Sequence, residues 1–490
     1  MQEYSLDEIL LPGFKLMKSV VYDASDKKNA QGKTQELVMK YSGPVPDVCP
    51  QCGGKLYSHT PKHIKITDTP FTGLPTKLDL ELTRKRCPNC KFLWCVEPKN
   101  ICEEKQMTER AFNKIANLST QHSFQSIADE YGVSLNTVKG VFVKHLEEQK
   151  ENLRFKTPAF LGLDEIKIKK LGEVTVITDL EHKTLYDMTL GRNQVSLTDY
   201  FAQMPDREKV IWVCTDMYRP FEKSIKTALP NAKWVVDHFH VVAYANRAMD
   251  KVRIKMQNGM TKRNRISTKK GLAYTLRTRS KNLTVEEAAK IKECRNDTEL
   301  QPLAIAFDLK EDFFNIYDEN RTSKENAQKA FADWEASIPA DDMYEDFRIL
   351  AGTVHNFYEQ IFNYWDCPLT ISNGFTECSN RIIRENNVKG RGNSFEILRG
   401  RTLYRKANLE RIENSGMMLG PSLSRPGPLF RFEETKYESA DRITEDENLS
   451  YNSFDYDPMI GLIPGVNFDP ETGEVFDDTL LEDDDLPFII

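Results

Sequence analysis

The spacing of hydrophobic positions changes several times along this 490-residue chain, and each change predicts a different kind of structure. Apolar and polar side chains alternate in residues 63–68 and 78–83, which predicts a β-hairpin that turns within residues 69–76. Residues 1–45 precede this hairpin, include a polar stretch and are expected to form a peripheral extension. The hairpin is therefore the first element that the pattern places in a folded domain.

Helical spacing replaces this alternation over residues 107–150. The apolar positions predict two helices, the second capped by Ser134, and Gly132 between them permits a sharp turn. Their inward-facing side chains are expected to be Ile127, Ala128, Tyr131, Val138 and Val141. The pattern is typical of a helix-turn-helix, which predicts a DNA-binding domain over residues 105–152, and a plain helical hairpin is the other interpretation.

Five apolar runs follow in an order that predicts an α/β domain. They cover residues 160–163, 174–178, 185–188, 210–214 and 233–236. The first three runs lie close together, as in an antiparallel meander, whereas helical stretches separate the later ones. Because an RNase H-like sheet has three antiparallel strands followed by alternating helices and strands, the sequence predicts this fold.

The RNase H-like domain is predicted to cover residues 158–412, with a helical insertion at about 243–370. Pro368 and the pair Asn373-Gly374 predict the start of a further helix, which carries Glu377. After residue 412 the periodicity fades, and residues 413–490 are predicted to form an acidic, disordered tail.

The charge of the chain is unevenly distributed. Residues 433–490 contain 18 acidic and two basic side chains, a balance of −16, in a chain whose net charge is −7. The first 432 residues therefore carry +9, which favours an anionic partner such as nucleic acid. The stretch from Lys251 to Lys281 is rich in lysine and arginine, and we expect it to contact the DNA backbone. Competition between the tail and DNA for the basic part of the chain is a further hypothesis.

The sequence contains no apolar run long enough for a membrane-spanning helix. Residues 1–18 also lack the basic start and the cleavage site of a signal peptide. We therefore expect the protein to remain inside the cell, away from membranes.

Six of the ten cysteines lie within residues 49–102, and in a reducing compartment such crowding favours metal binding over disulfides. Two Cys-x-x-Cys pairs flank the predicted hairpin, namely Cys49 with Cys52 and Cys87 with Cys90. Each pair can supply two thiolates from a tight turn, and four thiolates complete a tetrahedral Zn²⁺ site. The sequence therefore predicts a zinc ribbon over residues 46–104, with Cys95 and Cys102 as core residues and unbound structural or redox cysteines as the alternative.

Acidic residues follow two of the predicted strands. Asp164 follows the run 160–163, and Asp216 follows the run 210–214 by two residues. Acids at the ends of adjacent strands can converge, although a single strand-end aspartate is usually a solvated cap. With a third carboxylate they can hold two divalent metal ions, of which Mg²⁺ (or Mn²⁺) suits oxygen ligands. Glu377, on the helix that starts at Gly374, is the expected third ligand, and an ordinary salt-bridge surface is the alternative.

In their order and spacing these motifs resemble the ISL3 family of insertion-sequence transposases. The resemblance covers about residues 45–412. It rests on the zinc ribbon, the helix-turn-helix, Gly162-Leu-Asp164-Glu-Ile, Cys214-Thr-Asp216-Met, Asp237-His-Phe-His240 and Ser372-Asn-Gly-x-x-Glu377-x-x-Asn380-Arg381. It implies a DDE transposase of the bacterial cytoplasm that recognises terminal inverted repeats, cuts DNA 3′ ends and joins them to target DNA. The catalytic acids that it implies are Asp164, Asp216 and Glu377.

Double-stranded DNA is then the expected partner, and a homodimer is expected to bring the two ends together. Residues expected to contact DNA lie on the second helix, in the basic stretch and beside Glu377. They are Asn136, Thr137, Lys139, Lys144, Arg263, Lys269, Lys270, Asn380, Arg381 and Arg384. Asp237, His238 and His240 are expected to end the fifth strand and to support the active site, and a metal site of their own is the less favoured interpretation.

Two features depart from the family pattern, and two other functions fit the sequence. The acidic tail is unusual for the family, and residues 386–395 replace a more basic, aromatic segment. The first alternative function is a catalytically silent DNA-binding regulator derived from a transposase. The second is a zinc-ribbon nuclease unrelated to transposition.

Overall fold

The computed structural model describes residues 10–23, 32–258, 272–320, 323–390 and 392–419. The described chain divides into two compact units. The first contains the residues up to 156, the turn at 168–172 and the residues from 381 onward, and the second contains residues 157–167 and 173–380. Within the described ranges, no helix has both the length and the apolar character that a membrane crossing requires.

The first unit is built on a sheet of seven strands among the described residues. They are β1 (Phe14–Asp23), β2 (Lys33–Tyr41), β3 (Tyr57–Phe71), β4 (Leu74–Arg86), β5 (Leu93–Cys95), β6 (Ile101–Cys102) and β7 (Met107–Thr108). Their order is β1-β2-β4-β3-β7-β6, and β5 pairs with β4. The predicted hairpin is confirmed as β3 and β4, which turn at Thr72 and Gly73 with φ of 54° and 78°. Two successive positive φ angles give the turn a twist that matches the strands.

The sequence predicts a peripheral extension over residues 1–45, whereas the structure places β1 and β2 within this sheet. β2 runs parallel to β4, and Leu37 and Met39 of β2 share a buried core with Leu78 and Leu80 of β4. The signal in the sequence is weak because the side chains of β1 are mostly exposed. An edge strand with little buried surface shows no clear alternation of apolar and polar residues.

Three helices follow the sheet, namely α1 (Glu109–Leu118), α2 (Phe124–Tyr131) and α3 (Leu135–Asn152). The side chain of Ser134 accepts a hydrogen bond from the N–H of Thr137 and so caps α3, as predicted. Gly132 ends α2 with φ of 58°, and a Cβ atom at this position would lie 2.9 Å from Pro75 Cβ. The five side chains predicted to face inward are all buried in one cluster. A short strand, β8 (Arg154–Phe155), comes next.

The second unit contains the five predicted strands, which are confirmed. They are β9 (Phe160–Ile168), β10 (Gly172–Asp179), β11 (Thr184–Leu190), β12 (Trp212–Thr215) and β13 (Lys233–Val236), in the order β11-β10-β9-β12-β13. β10 and β11 pair antiparallel, whereas β12 runs parallel to both β9 and β13. The carboxyl ends of β9, β12 and β13 therefore point towards the same edge of the sheet.

Helices occupy most of the remaining part of the second unit. They are α4 (Gln194–Ala202), α5 (Arg219–Ala228), α6 (His238–Asn258), α7 (Val285–Asn296), α8 (Gln301–Glu319), α9 (Lys324–Ser337), α10 (Glu345–Asn356), α11 (Tyr358–Phe362) and α12 (Gly374–Lys389). The predicted helical region after β13 and the predicted helix from Gly374 are both confirmed. Large buried side chains from this region, such as Phe221, Phe313 and Phe347, belong to the same core as the sheet.

The chain returns to the first unit after residue 380. There it forms α13 (Phe395–Leu403), α14 (Lys406–Asn414) and β14 (Met418–Leu419), which pairs with β8. The buried Arg401 donates a hydrogen bond to the carbonyl oxygen of His122 (2.9 Å), and its guanidinium lies 4.3 Å from the centre of the Phe124 ring. α13 therefore packs against the start of α2. The predicted tail over residues 413–490 begins too early, because α14 extends to Asn414 and β14 covers Met418–Leu419. Its remaining residues, from 420 onward, lie outside the described part of the chain.

Candidate active site and zinc centre

The two Cys-x-x-Cys pairs meet at the end of the β3–β4 hairpin. The Sγ atoms of Cys49 and Cys90 are 3.5 Å apart, as are those of Cys52 and Cys87, and all four lie within 4.8 Å of one another. Zinc–sulfur bonds of about 2.3 Å in a tetrahedron separate sulfur atoms by about 3.8 Å. The four thiols therefore fit one Zn²⁺ ion.

Each pair is held by the same arrangement of backbone hydrogen bonds. Cys49 N–H donates to Gly54 O (2.7 Å) and Gly53 N–H donates to Cys49 O (2.9 Å), and the second pair repeats both bonds around Cys87. The equivalent positions Gly53 and Lys91 both have positive φ, of 69° and 65°. The local backbone therefore presents both thiols of each pair in the same direction, which is why their spacing could be recognised from the sequence.

Zinc removal is expected to loosen the ribbon without unfolding the sheet. Cys49, Cys87 and Leu56 form a small core distinct from the one that β2 and β4 share, and Trp94 packs against both. We expect a chelator, or Cys49→Ser, to increase amide hydrogen exchange in residues 46–56 and 86–95 by at least about tenfold, because the bound metal supplies much of the local folding energy. The amides of β2 and the centre of β4 should keep their protection.

The control for this experiment is Cys95→Ser, since Cys95 lies in β5 outside the set of four ligands. It should keep one zinc per chain and an unchanged exchange pattern. Equal loss of protection throughout the sheet on zinc removal would contradict the local role of the metal.

Three aspartates form a row beside the ends of β12 and β13 in the second sheet. Asp164 lies within β9, which continues to Ile168, and not at a strand end as the sequence predicted. The strand register pairs Cys214 with Gly162 and Thr215 with Val236. Continuing this register to the next residues places Asp216 beside both Asp164 of β9 and Asp237, which directly follows β13. The structure thus brings together two predicted catalytic acids and a third aspartate that the sequence suggested only as support.

The start of α12 is docked on β9 and β10 by buried polar contacts. Asn373 Nδ2 donates to Leu163 O (2.8 Å), and the hydroxyl groups of Thr376 and Thr178 are hydrogen-bonded to each other (2.6 Å). These contacts need Gly162, because a Cβ atom there would lie 2.5 Å from each of the two hydroxyl oxygens. The next residue along α12 is Glu377, so this docking fixes its position.

Glu377 lies next to Asp237 and so belongs to the same cluster of acids. One carboxylate oxygen of each residue and one ring nitrogen of His240 lie within 4.8 Å of one another. Asn380, one turn further along α12, is buried and donates from Nδ2 to Asp164 Oδ2 (2.6 Å). The sequence predicts DNA contact for Asn380, and the structure places its amide against a carboxylate of the acid cluster.

Burial and mutual repulsion raise the pKa values of these acids. Burial is the largest cause for Asp216, whose pKa rises to about 8, and the charges of Asp164 and Glu165 raise it further. Burial also raises the pKa of Glu377 to about 8, with added repulsion from Asp237 and Asp164. The pKa of Asp237 rises to about 7 by burial. Such a cluster favours either bound protons or bound cations at neutral pH.

The surroundings of the cluster suit a divalent cation. Asp216 Oδ1 is buried and has no hydrogen-bond partner among the described residues. Arg192 is the positive group that lowers the pKa of Asp216, but its guanidinium already pairs with Glu165 and Glu173. Because oxygen ligands in this number and density are those that Mg²⁺ and Mn²⁺ prefer, the residues present fit such an ion.

The prediction that Asp237, His238 and His240 end a strand is wrong, because β13 ends at Val236 and α6 begins at His238. In a helix, residues two apart point in different directions. The ring of His238 lies tilted against Phe239 with 4.0 Å between centres, whereas His240 Nε2 lies 4.0 Å from Glu377 Oε1. The two histidines therefore have different surroundings, and only His240 lies near Glu377.

Some residues predicted to contact DNA lie along one groove of the first unit. Asn136 and Lys139 are exposed on α3, and Lys144 lines the same groove while paired with Glu104 at 2.7 Å. Lys105 also lines it, and sequence reasoning missed this residue because it precedes the helices. The groove therefore presents three lysines and an asparagine on one surface, together with Glu104 and Glu147.

The other predicted DNA contacts have different surroundings. Thr137 shares a hydrogen bond with Ser134 (2.8 Å) at the start of α3. Arg381 and Arg384 are exposed on α12, and Arg381 lies 3.7 Å from Glu385. Residues outside the described part of the chain are Arg263, Lys269 and Lys270.

Known proteins resemble the chain in both regions. Residues 161–402 match the ISL3 family model described as "Transposase", and residues 46–90 match the model described as "zinc-finger of transposase IS204/IS1001/IS1096/IS1165". A similar protein is the "Transposase for insertion sequence element IS1001" of Bordetella parapertussis, which is 23% identical over 299 residues, or 58% of this chain and 71% of the relative. The first match includes all the acids described above, and the second includes the four clustered cysteines.

Proposed function

This chain belongs to the ISL3 family of transposases, and from this premise we propose that it moves an insertion sequence. In this proposal it binds the terminal inverted repeats, cleaves DNA 3′ ends and joins them to target DNA. The observation that carries the proposal is the row of Asp164, Asp216 and Asp237 with Glu377 beside it, because a transposase needs converging carboxylates for phosphoryl transfer.

The proposal includes an RNase H-like fold for the catalytic domain. Its support is the sheet order β11-β10-β9-β12-β13, in which parallel pairing begins at the central strand β9. The α2–α3 pair is proposed as a helix-turn-helix, supported by the sharp turn at Gly132 and by the exposed Asn136 and Lys139 on α3.

Asp164, Asp216 and Glu377 are proposed as the residues that would hold two divalent ions. Bound in this way, Mg²⁺ or Mn²⁺ would activate the attacking oxygen and stabilise the leaving oxygen. Asn380 holds Asp164 in one orientation through its amide hydrogen bond, and Asn373 and Thr376 hold the start of α12 against the sheet. These residues therefore pre-organise the carboxylates before DNA binds.

The proposed chemistry comprises two transfers at phosphorus. In cleavage, the oxygen of water forms a bond to phosphorus, the bond from phosphorus to O3′ breaks, and the departing O3′ takes up a proton. In joining, this 3′-hydroxyl loses its proton and attacks a target phosphodiester, whose own O3′ leaves. Neither step needs an oxidant or a reductant, so the proposed chemistry requires only carboxylates, divalent cations and water.

DNA recognition is proposed for the groove that contains Lys105, Asn136, Lys139 and Lys144. Lysine side chains contact phosphates, and an asparagine can read adenine in the major groove. Because transposition brings two ends together, we also propose that the active form is a homodimer.

The test is an assay with DNA that carries the inverted repeats flanking the gene. With Mg²⁺ or Mn²⁺ present, the wild-type protein should nick the 3′ end of the repeat and then join it to a second duplex. Repeat binding without nicking would replace the proposal by a silent regulator, and nicking without joining would replace it by a nuclease. Scrambled repeat DNA of equal length is the control for sequence recognition.

A further inference from the structure

Asp237 and His240 lie beside Glu377 but are not among the three proposed catalytic acids. Asp237 caps the start of α6, and His240 follows it by one helical turn. Their ligand atoms and one oxygen of Glu377 all lie within 4.8 Å of one another. The three side chains come from two helices that begin at the same edge of the sheet, so they converge without being close in sequence.

The orientation of Asp237 is fixed by the backbone. Its Oδ1 accepts a hydrogen bond from the N–H of Phe239, and its Oδ2 accepts one from the N–H of Asn373, both at 3.3 Å. These donors lie at the starts of α6 and α12, whose partial positive charges favour a carboxylate at this place. Asp237 is fully buried, so both oxygens are held in one position.

The spacing of His240 and Glu377 suits a shared cation better than a direct contact. His240 Nε2 and Glu377 Oε1 are 4.0 Å apart, which is too long for a hydrogen bond. Two ligands of one cation, each bound at about 2.0–2.2 Å, can be separated by up to about 4.4 Å. The observed distance lies within this limit.

His238 does not share this position, although it precedes His240 by two residues. Its ring packs at tilted angles against Phe239, Tyr317 and Tyr364, with ring centres 4.0, 5.7 and 5.2 Å away. The helix therefore directs one histidine into an aromatic cluster and the other towards Glu377.

We propose that Asp237, His240 and Glu377 bind one divalent cation through two carboxylates and an imidazole nitrogen. This inference deepens the proposed function, since it assigns a nitrogen ligand and a further aspartate to the centre that contains Glu377. A nitrogen ligand favours transition-metal ions over Mg²⁺. The site should therefore bind Mn²⁺ more tightly than Mg²⁺.

The experiment is pulsed electron paramagnetic resonance on the full-length protein, with zinc in its ribbon and Mn²⁺ added as the probe. Bound Mn²⁺ should show coupling to a directly ligated ¹⁴N nucleus. Labelling the histidines with ¹⁵N should change this signal to that of ¹⁵N, which identifies the ligand as imidazole. Absence of nitrogen coupling in the wild-type protein would overturn the proposal.

Two variants assign the ligand. His240→Gln should remove the nitrogen coupling and weaken Mn²⁺ binding by at least about 10-fold, because loss of a group that only supports a ligand already costs about 10–100-fold. The matched control is His355→Gln, because His355 is an exposed histidine that pairs with Glu335 far along the chain. Coupling that persists in a folded, zinc-loaded His240→Gln protein would also overturn the assignment.

The result is independent of the DNA assay. Nitrogen coupling in a protein that neither nicks nor joins DNA would support this site and contradict the proposed function. DNA nicking by a protein whose Mn²⁺ shows no nitrogen coupling would support the function and contradict this site.

Discussion

Glu377→Gln is expected to lower DNA nicking by at least about 10³-fold while making the metal-free protein more stable. The loss of activity follows because glutamine is a poor ligand for a divalent cation and carries no charge to hold it. The gain in stability follows because Glu377 is a buried acid beside Asp237 and Asp164, whose charges repel its own. One substitution should therefore move activity and stability in opposite directions.

The pH dependence of this gain in stability follows from the direction in which the pKa of Glu377 is shifted. The pKa of Glu377 rises from 4.5 to about 8, so the folded protein binds a proton more tightly than the unfolded chain does. Its contribution to stability is present below pH 4.5 and is lost as the pH rises towards 8. At pH 8 the glutamine variant, whose residue 377 does not titrate, should be more stable than the wild type by roughly 1–3 kcal/mol. The gain is smaller than the full pKa shift implies, because neighbouring acids in the wild type bind protons and relieve part of the repulsion.

The measurement is chemical denaturation at pH 5 and pH 8, together with the nicking assay. Denaturation is carried out in buffer without Mg²⁺ or Mn²⁺ and without a chelator, because chelators that bind Mn²⁺ bind the ribbon's Zn²⁺ more tightly. Glu385→Gln is the matched control, because Glu385 is an exposed glutamate on the same helix. A glutamine variant at 377 that is less stable than wild type at pH 8, or that nicks DNA normally, would contradict this account.

Gly162→Ala is expected to lower both stability and activity. The new Cβ atom would lie 2.5 Å from Thr178 Oγ1 and Thr376 Oγ1, and 2.6 Å from Leu180 Cδ2. Since these atoms belong to the contact between α12 and the sheet, the helix must shift. Overpacking of this kind costs about 1–3 kcal/mol, and a displacement of about 1 Å at Glu377 can lower the rate about 100-fold.

Gly352→Ala provides the control for Gly162→Ala. Gly352 lies within α10, and a Cβ atom there would meet nothing within 4 Å. Alanine in a helix is favoured over glycine by about 1 kcal/mol, so this variant should be as stable as wild type or more stable, with unchanged nicking. Thermal unfolding and nicking rates of the two variants test the prediction, and equal behaviour of both proteins would contradict the docking role of Gly162.

The sequence by itself determined the features that depend on short segments. The Cys-x-x-Cys spacing predicts the ribbon because each pair is shaped by hydrogen bonds within six residues. The hairpin, the α2–α3 pair and the five strands of the second sheet follow from apolar periodicity, which records which side of an element is buried. Asp164 and Asp216 could be chosen because each follows an apolar run on β9 or β12.

The tertiary structure decided which of these segments meet. The row of Asp164, Asp216 and Asp237 depends on strand register, and the place of Glu377 depends on contacts between residues about 200 positions apart. β1 and β2 join the first sheet although their own pattern is weak, and α13 packs beside helices that lie more than 240 residues earlier in the chain. Such contacts leave no periodic signal in a single sequence.

His240 shows the same division within four residues. The sequence identified Asp237 and both histidines as a motif near the active site. On a strand the two histidine rings would point the same way, whereas on a helix they point in different directions. The choice of helix depends on where β13 stops pairing with β12, since Val236 is the last paired residue. Local composition therefore determined which chemical groups were available, and the end of one strand ladder decided which of them faces Glu377.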